Sequence, residues 1–305
     1  MITNEPPSAL DPLTPSPTVL QGTTNELPQR PLSPDNPPWG LLMAFGTWLA
    51  SFLCLIFVPL VLVIPYVVYL MVQFGHLTAE ELASNKTLLF LSILGVVPAH
   101  ILTIGVAWAV VTHWGRYPFF ETLGFSWPKS WGPLKGSLIC VGLAIALLAV
   151  GGVITTFLGG AKTQLDLIIE SSAATRITIA LLSFLTAPFV EELIYRGVVY
   201  PAVARLTGAG WAIAIVSVLF AGIHYWQYKN NLGVILVITI LSIVLTTLRA
   251  VTGSLLPPFM LHLIFNGLQS AFLLLQPVLE KWIQQFAPLK NQTGLLIEYA
   301  IRQLC

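Results

Sequence analysis

The sequence predicts an all-α fold, a polytopic transmembrane helical bundle of about seven spans (six to eight). Three observations carry this reading. Only 9% of the 305 residues are charged against 56% hydrophobic, too little polar surface to solvate a globule. Mean hydropathy is +0.82. Apolar runs of about 20 residues, the length that crosses a ~30 Å hydrocarbon layer, recur along the chain.

The elements follow in order. Residues 1–40 hold 10 of the 22 prolines, separated by Ser, Thr, Asn and Gln, and read as a disordered tail. Leu41 to Phe74 is the first span, long enough to tilt, with Pro59 and Pro65 expected to kink it. Leu88 to Val111 and Gly136 to Leu158 follow, completing an N-terminal membrane region over 41–160. A fourth helical pattern runs from Ala174 to Arg205 and breaks at Gly208 and Gly210. The fifth starts at Trp211 and gives out in the polar stretch 225–231. Leu232 to Leu248 is the sixth, and a seventh follows Pro257 and Pro258 and stops before Pro277. Residues 277–305 carry an amphipathic pattern (Trp282, Ile283, Phe286) expected to lie on the membrane surface.

Composition also excludes. A formal net charge of +1 with no basic cluster gives no field for nucleic acid. Cys54 and Cys140 lie in apolar runs and Cys305 ends the sequence, so there is neither a disulfide framework nor a CxxC metal pair. Placing the tail in the cytosol puts Arg30, Arg116, Lys129, Lys135, Arg205 and Arg249 inside, against Lys86, Lys162, Arg176 and Lys229 outside.

Ionisable groups within the spans carry the functional information, since each costs at least about 2.5–3.5 kcal/mol at the centre of a span. Of 13 carboxylates only Glu191 and Glu192 qualify. Glu192 and Arg196 are spaced i, i+4, share a helix face and neutralise one another. Glu191 projects about 100° away and lacks that partner, so the two carboxylates meet different environments. A Glu without a cation nearby suits a base toward water. The alternative is a structural Glu–Arg clamp between helices. His224 follows Phe220 by one turn, and His262 shares a face with Asn266. A lone His100 in the second span reads as a packing residue or an interhelical hydrogen bond.

Residues 191 and 224 are equidistant from the break at 206–210, which places them at equal height in a helical hairpin. The hairpin therefore predicts Glu191 and His224 within one bridging water, roughly 3–6 Å, with Gly222 at the helix contact. His262 is only some six residues into its span, about 9 Å deep, unless its helix starts inside the membrane or a polar funnel makes up the difference.

Glu-Glu-x-x-x-Arg, Phe-x-x-x-His and His-x-x-x-Asn, in this order and each near or within an apolar span, resemble the motifs of the CPBP family (CAAX proteases and bacteriocin-processing enzymes), which includes the type II CAAX prenyl endopeptidases. The resemblance covers about residues 174–276, including Thr252-Gly-Ser-Leu255. It implies an intramembrane endopeptidase acting on a prenylated or other membrane-associated peptide. Glu191 and His224 would activate water, Glu192 and Arg196 would support that helix, and His262 and Asn266 would be oxyanion donors. Amide hydrolysis needs such a base and such donors. No cofactor is required on that reading. The alternative is a zinc site of Glu191, His224 and His262 with water as fourth ligand. A non-proteolytic membrane scaffold or a bacteriocin self-immunity protein is a further alternative. A proton-coupled transporter would need an inverted repeat that is not evident, and no His-Glu-x-x-His, Gly-x-Ser-Gly or intramembrane aspartate points to another protease class.

Overall fold

A computed structural model of the chain describes residues 33–286 together with Ala300 and Gln303. Among the described residues there are helices and turns but no strand, only an isolated bridge between Ser33 and Asn36. Seven helices are long and apolar enough to cross a membrane: α1 (Leu41–Phe74), α2 (Lys86–Val111), α3 (Gly132–Leu158), α4 (Ala173–Thr207), α5 (Ala209–Tyr228), α6 (Leu232–Thr252) and α7 (Leu256–Phe286). Hydrophobic residues along α1, such as Leu42, Val61 and Val72, are exposed, as lipid-facing positions must be. Between helices in lipid, close packing replaces hydrophobic drive, which favours small residues at contacts. Ala44, Ala99, Ala107, Ala144, Ala202 and Ala212 are accordingly buried at helix interfaces.

The centre of the bundle is α4, which packs against α1, α2, α5 and α7, while α3 covers α6 and α7 from outside. Residues 192–203 of α4 are buried on every side, the mark of a helix enclosed by others. Two π-helical segments, Leu182–Thr186 and Leu193–Val199, flank the α-helical turns Ala187–Glu192. Both end in the same way. The N–H of Ala187 closes on Leu182 O and that of Tyr200 on Tyr195 O, each five residues back, and the next residue is Pro188 or Pro201. A proline ring collides with the carbonyl four residues earlier, and the wider π turn relieves that collision.

The hairpin turn falls where the glycines place it: Gly208 adopts φ +79° between α4 and α5. Gly253, at φ +63°, ends α6 in the left-handed region.

Two boundaries depart from the sequence reading. The tail expected to be disordered through residue 40 is docked from Ser33 onward; residues 1–32 lie outside the described residues. Arg249 Nη1 pairs with Asp35 Oδ1 at 2.7 Å and its Nη2 donates to Pro34 O at 2.8 Å. Arg205 donates to Pro37 O and Trp39 O at 3.0 and 2.8 Å. Trp39 is 1% exposed and its Nε1 donates to Val198 O at 3.0 Å. Burial of the indole and the hydrogen bonds from the two arginines offset the ordering cost of a short Pro-stiffened segment. At the other end, α7 runs through Pro277 to Phe286 instead of stopping before it, because proline is tolerated inside membrane helices. The interfacial segment expected beyond lies mostly outside the described residues. Residues 33–286 fall in one compact unit.

Candidate active site

The site is built on the α-helical turns of α4 between its two π segments. Glu192 and Arg196 are 1% and 0% exposed and pair at 2.8 Å between Oε1 and Nη1. Arg196 is saturated by α6 as well: Nε donates to Thr246 Oγ1 at 3.1 Å and Nη2 to Ser242 Oγ at 2.7 Å. Its guanidinium sits 4.7 Å from the Phe220 ring centroid on α5. A charge this deeply buried persists only when it is paired and hydrogen-bonded, and α4, α5 and α6 all contribute to holding the guanidinium.

From α7, His262 brings Nδ1 to Glu192 Oε1 at 2.8 Å. Because that oxygen belongs to a carboxylate already paired with arginine, Nδ1 carries the hydrogen and donates. The other ring nitrogen, Nε2, faces Glu191 Oε2 at 3.6 Å, beyond direct hydrogen-bond reach. Glu191 keeps 21% of its side chain exposed. The two adjacent carboxylates thus have the unequal environments that their spacing implied.

His262 reaches this height because α7 starts inside the bundle. Leu255 N–H and Ser254 Oγ both donate to Gly124 O in the α2–α3 loop, and Ser254 Oγ also contacts Ser126 O. The α6–α7 turn lies level with Tyr200, whose ring is 5.4 Å from the Arg249 guanidinium. His262 is about 9 Å down α7 and Glu192 about 12 Å below Tyr200 on α4, so the heights agree. The final turns of α4 project past the turn and hold the 33–39 segment through Arg205.

His224 Nδ1 bonds Phe220 O of its own helix at 2.8 Å, and the imidazole whose nitrogen lies 3.6 Å from Glu191 Oε2 is that of His262. The two histidines are linked through Phe220, whose ring centroid is 4.8 Å from His224 and 6.1 Å from His262. Gly222 is not the helix contact expected, since nothing lies within 4 Å of where its Cβ would be. Close approaches beside the site do occur at Gly197, where a Cβ would stand 2.9 Å from Leu123 Cδ2, and at Gly267, 2.9 Å from Phe184 Cδ2. Asn266, beside Gly267, donates Nδ2 to Ser183 O at 3.0 Å.

Several residues complete the surroundings that motif spacing did not single out. His100 on α2 shares a hydrogen bond of 2.9 Å with Thr186 Oγ1, the interhelical role its sequence setting suggested, and lies within electrostatic range of Glu191. Trp48 on α1 donates Nε1 to Tyr195 Oη at 3.0 Å. Ser242 and Thr246 carried a signal, two hydroxyls at i, i+4 on one face of a mostly apolar helix, that marks the face of α6 turned toward a buried polar group.

A zinc site would need Glu191, His224 and His262 to converge. Glu191 and His262 meet, but among the described residues no group of three or more His, Cys, Asp or Glu side chains is disposed to hold a metal ion.

The family model for type II CAAX prenyl endopeptidase Rce1-like proteins matches residues 173–268. Over this segment, called the Rce1-like domain below, the chain is similar to that family. It begins with α4, ends within α7, and contains Glu191, Glu192, Arg196, His224, His262 and Asn266. No curated protein and no solved structure matches the chain. Trp39, Trp48 and His100, which buttress the Rce1-like domain, all come from outside the matched residues.

Proposed function

We propose that this chain is an intramembrane endopeptidase that hydrolyses a peptide bond of a prenylated or otherwise membrane-associated substrate, with Glu191 as the base toward water. The observation that carries the reading is the contrast within the Glu pair: Glu192 is sealed by Arg196 and His262, while Glu191 is partly exposed with an imidazole nitrogen 3.6 Å away.

The chemistry follows from the partners of the two carboxylates: Arg196 and His262 hold Glu192, which leaves Glu191 for the proton transfer. Glu191 takes a proton as water adds to the scissile carbonyl. The negative oxygen that develops accepts from His262 Nε2–H and from the Asn266 amide. Return of the proton from Glu191 to the leaving nitrogen completes cleavage. His224, with Nδ1 committed to Phe220 O, has Nε2 free to assist at the water. No metal step is invoked. The excess of basic residues on the tail side supports placing that face, with the α6–α7 turn, in the cytosol.

Purified protein in lipid, given a prenylated peptide and the same peptide without its lipid, tests the reading. Cleavage of the prenylated peptide by wild type and not by Glu191→Gln supports it. A protein that binds but never cleaves would instead be a scaffold, the role of a bacteriocin self-immunity protein.

A further inference from the structure

The end of the first π segment explains more than the shape of α4. Ala187 N–H closes on Leu182 O. In the same five-residue register the next bond would run from residue 188 to Ser183 O, but Pro188 has no N–H to give. The carbonyl so released meets Asn266, whose Nδ2 donates to it at 3.0 Å. The approach depends on Gly267, since a Cβ there would fall 2.9 Å from Phe184 Cδ2 within the same π segment.

A primary amide nitrogen carries two hydrogens. With one committed to a carbonyl, the amide plane is fixed, the nitrogen end must face α4, and the second N–H is left to donate. We propose that Pro188 is a positioning residue for Asn266: by withholding its own N–H it turns Ser183 O into the anchor that orients the amide's second hydrogen. The catalytic half of this statement rests on the reading of Asn266 as an oxyanion donor; the anchor itself does not.

The test is a double-mutant cycle of Pro188→Ala and Asn266→Ala in the full chain in lipid, read by thermal midpoint, kcat and KM, with Glu191→Gln as the control for peptidase chemistry. In the Pro188 background Asn266→Ala leaves Ser183 O unpaired, and the midpoint falls by about 2–4 °C. In the Pro188→Ala background, where the new alanine supplies the missing N–H, Asn266→Ala has no further effect on the midpoint. Pro188→Ala alone keeps or raises the midpoint yet lowers kcat by about 10²-fold at near-constant KM, and the double variant is no slower than Asn266→Ala. Additive midpoint shifts overturn the anchor. Coupled midpoints with wild-type kcat for Pro188→Ala overturn the positioning role. A wild type that cleaves nothing removes the peptidase reading and the catalytic half with it, and the midpoints alone then decide the anchor.

Discussion

His262 and Glu192, 70 residues apart in sequence, share a 2.8 Å hydrogen bond between Nδ1 and Oε1 in the interior of the bundle. That contact ties α7 to α4 and fixes which imidazole nitrogen carries the structural hydrogen. It also turns Nε2 toward Glu191. One carboxylate orients the imidazole and its neighbour is left for chemistry.

This division makes the two glutamates respond differently to the same substitution. Glu192→Gln removes the only carboxylate paired with the fully buried Arg196 and is expected to lower stability by about 3–5 kcal/mol, read by denaturation in detergent. Glu191→Gln is expected to leave the unfolding transition where it is and to abolish cleavage. Equal stability loss in both would contradict the assignment.

Asn266→Ala is expected to slow turnover by about 10²- to 10³-fold with a smaller effect on KM, the usual consequence of deleting one oxyanion donor. Chelator treatment of the wild type is expected to leave the rate unchanged. Loss of activity to a chelator and recovery with zinc, together with normal turnover by Asn266→Ala, would contradict both statements.

Arg196 offers a test that leaves its charge in place. Ser242→Ala with Thr246→Ala strips α6 of its two hydroxyl partners. Each hydrogen bond to a charged group is worth about 1.5–3 kcal/mol, so the double variant is expected to unfold at clearly lower denaturant than either single one. The Ser242 carbonyl, 3.2 Å from Nη2, stays in place in that variant, so an unshifted transition would show that the two hydroxyls do not hold the guanidinium.

Outside the Rce1-like domain, Trp39 is expected to matter for stability. Trp39→Phe keeps a ring but leaves Val198 O without its donor, costing about 1–3 kcal/mol, and Trp39→Ala about 3–5 kcal/mol because a buried cavity is added. A Trp39→Ala protein as stable as wild type would mean that the 33–39 segment only rests on the bundle.

What was legible in the sequence is what a single helix encodes. The lengths of the apolar runs gave the spans, and the i, i+4 spacing of Glu192 and Arg196 gave their ion pair. Contacts between helices were legible only as height, not as rotation: the spacing that puts residues 191 and 224 level did not show that His262 brings Nε2 to 3.6 Å from Glu191. Gly222 was misread for the same reason, since a glycine does not announce which side of its helix faces a neighbour. Composition misled at residues 33–39 because the partners that order a Pro-rich segment, Arg205 and Arg249, lie far along the chain. Pro188 and Pro201, inside an apolar helix, were the available signal for the π segments.

The central claim is that Glu191 acts on water in a site that folds without it. The most direct measurement is the single-turnover rate of peptide cleavage by purified wild type and Glu191→Gln at matched thermal midpoints, with products identified by mass spectrometry. Loss of a general base predicts a rate at least about 10²-fold lower for Glu191→Gln. A Glu191→Gln protein that cleaves as fast as wild type would contradict the account.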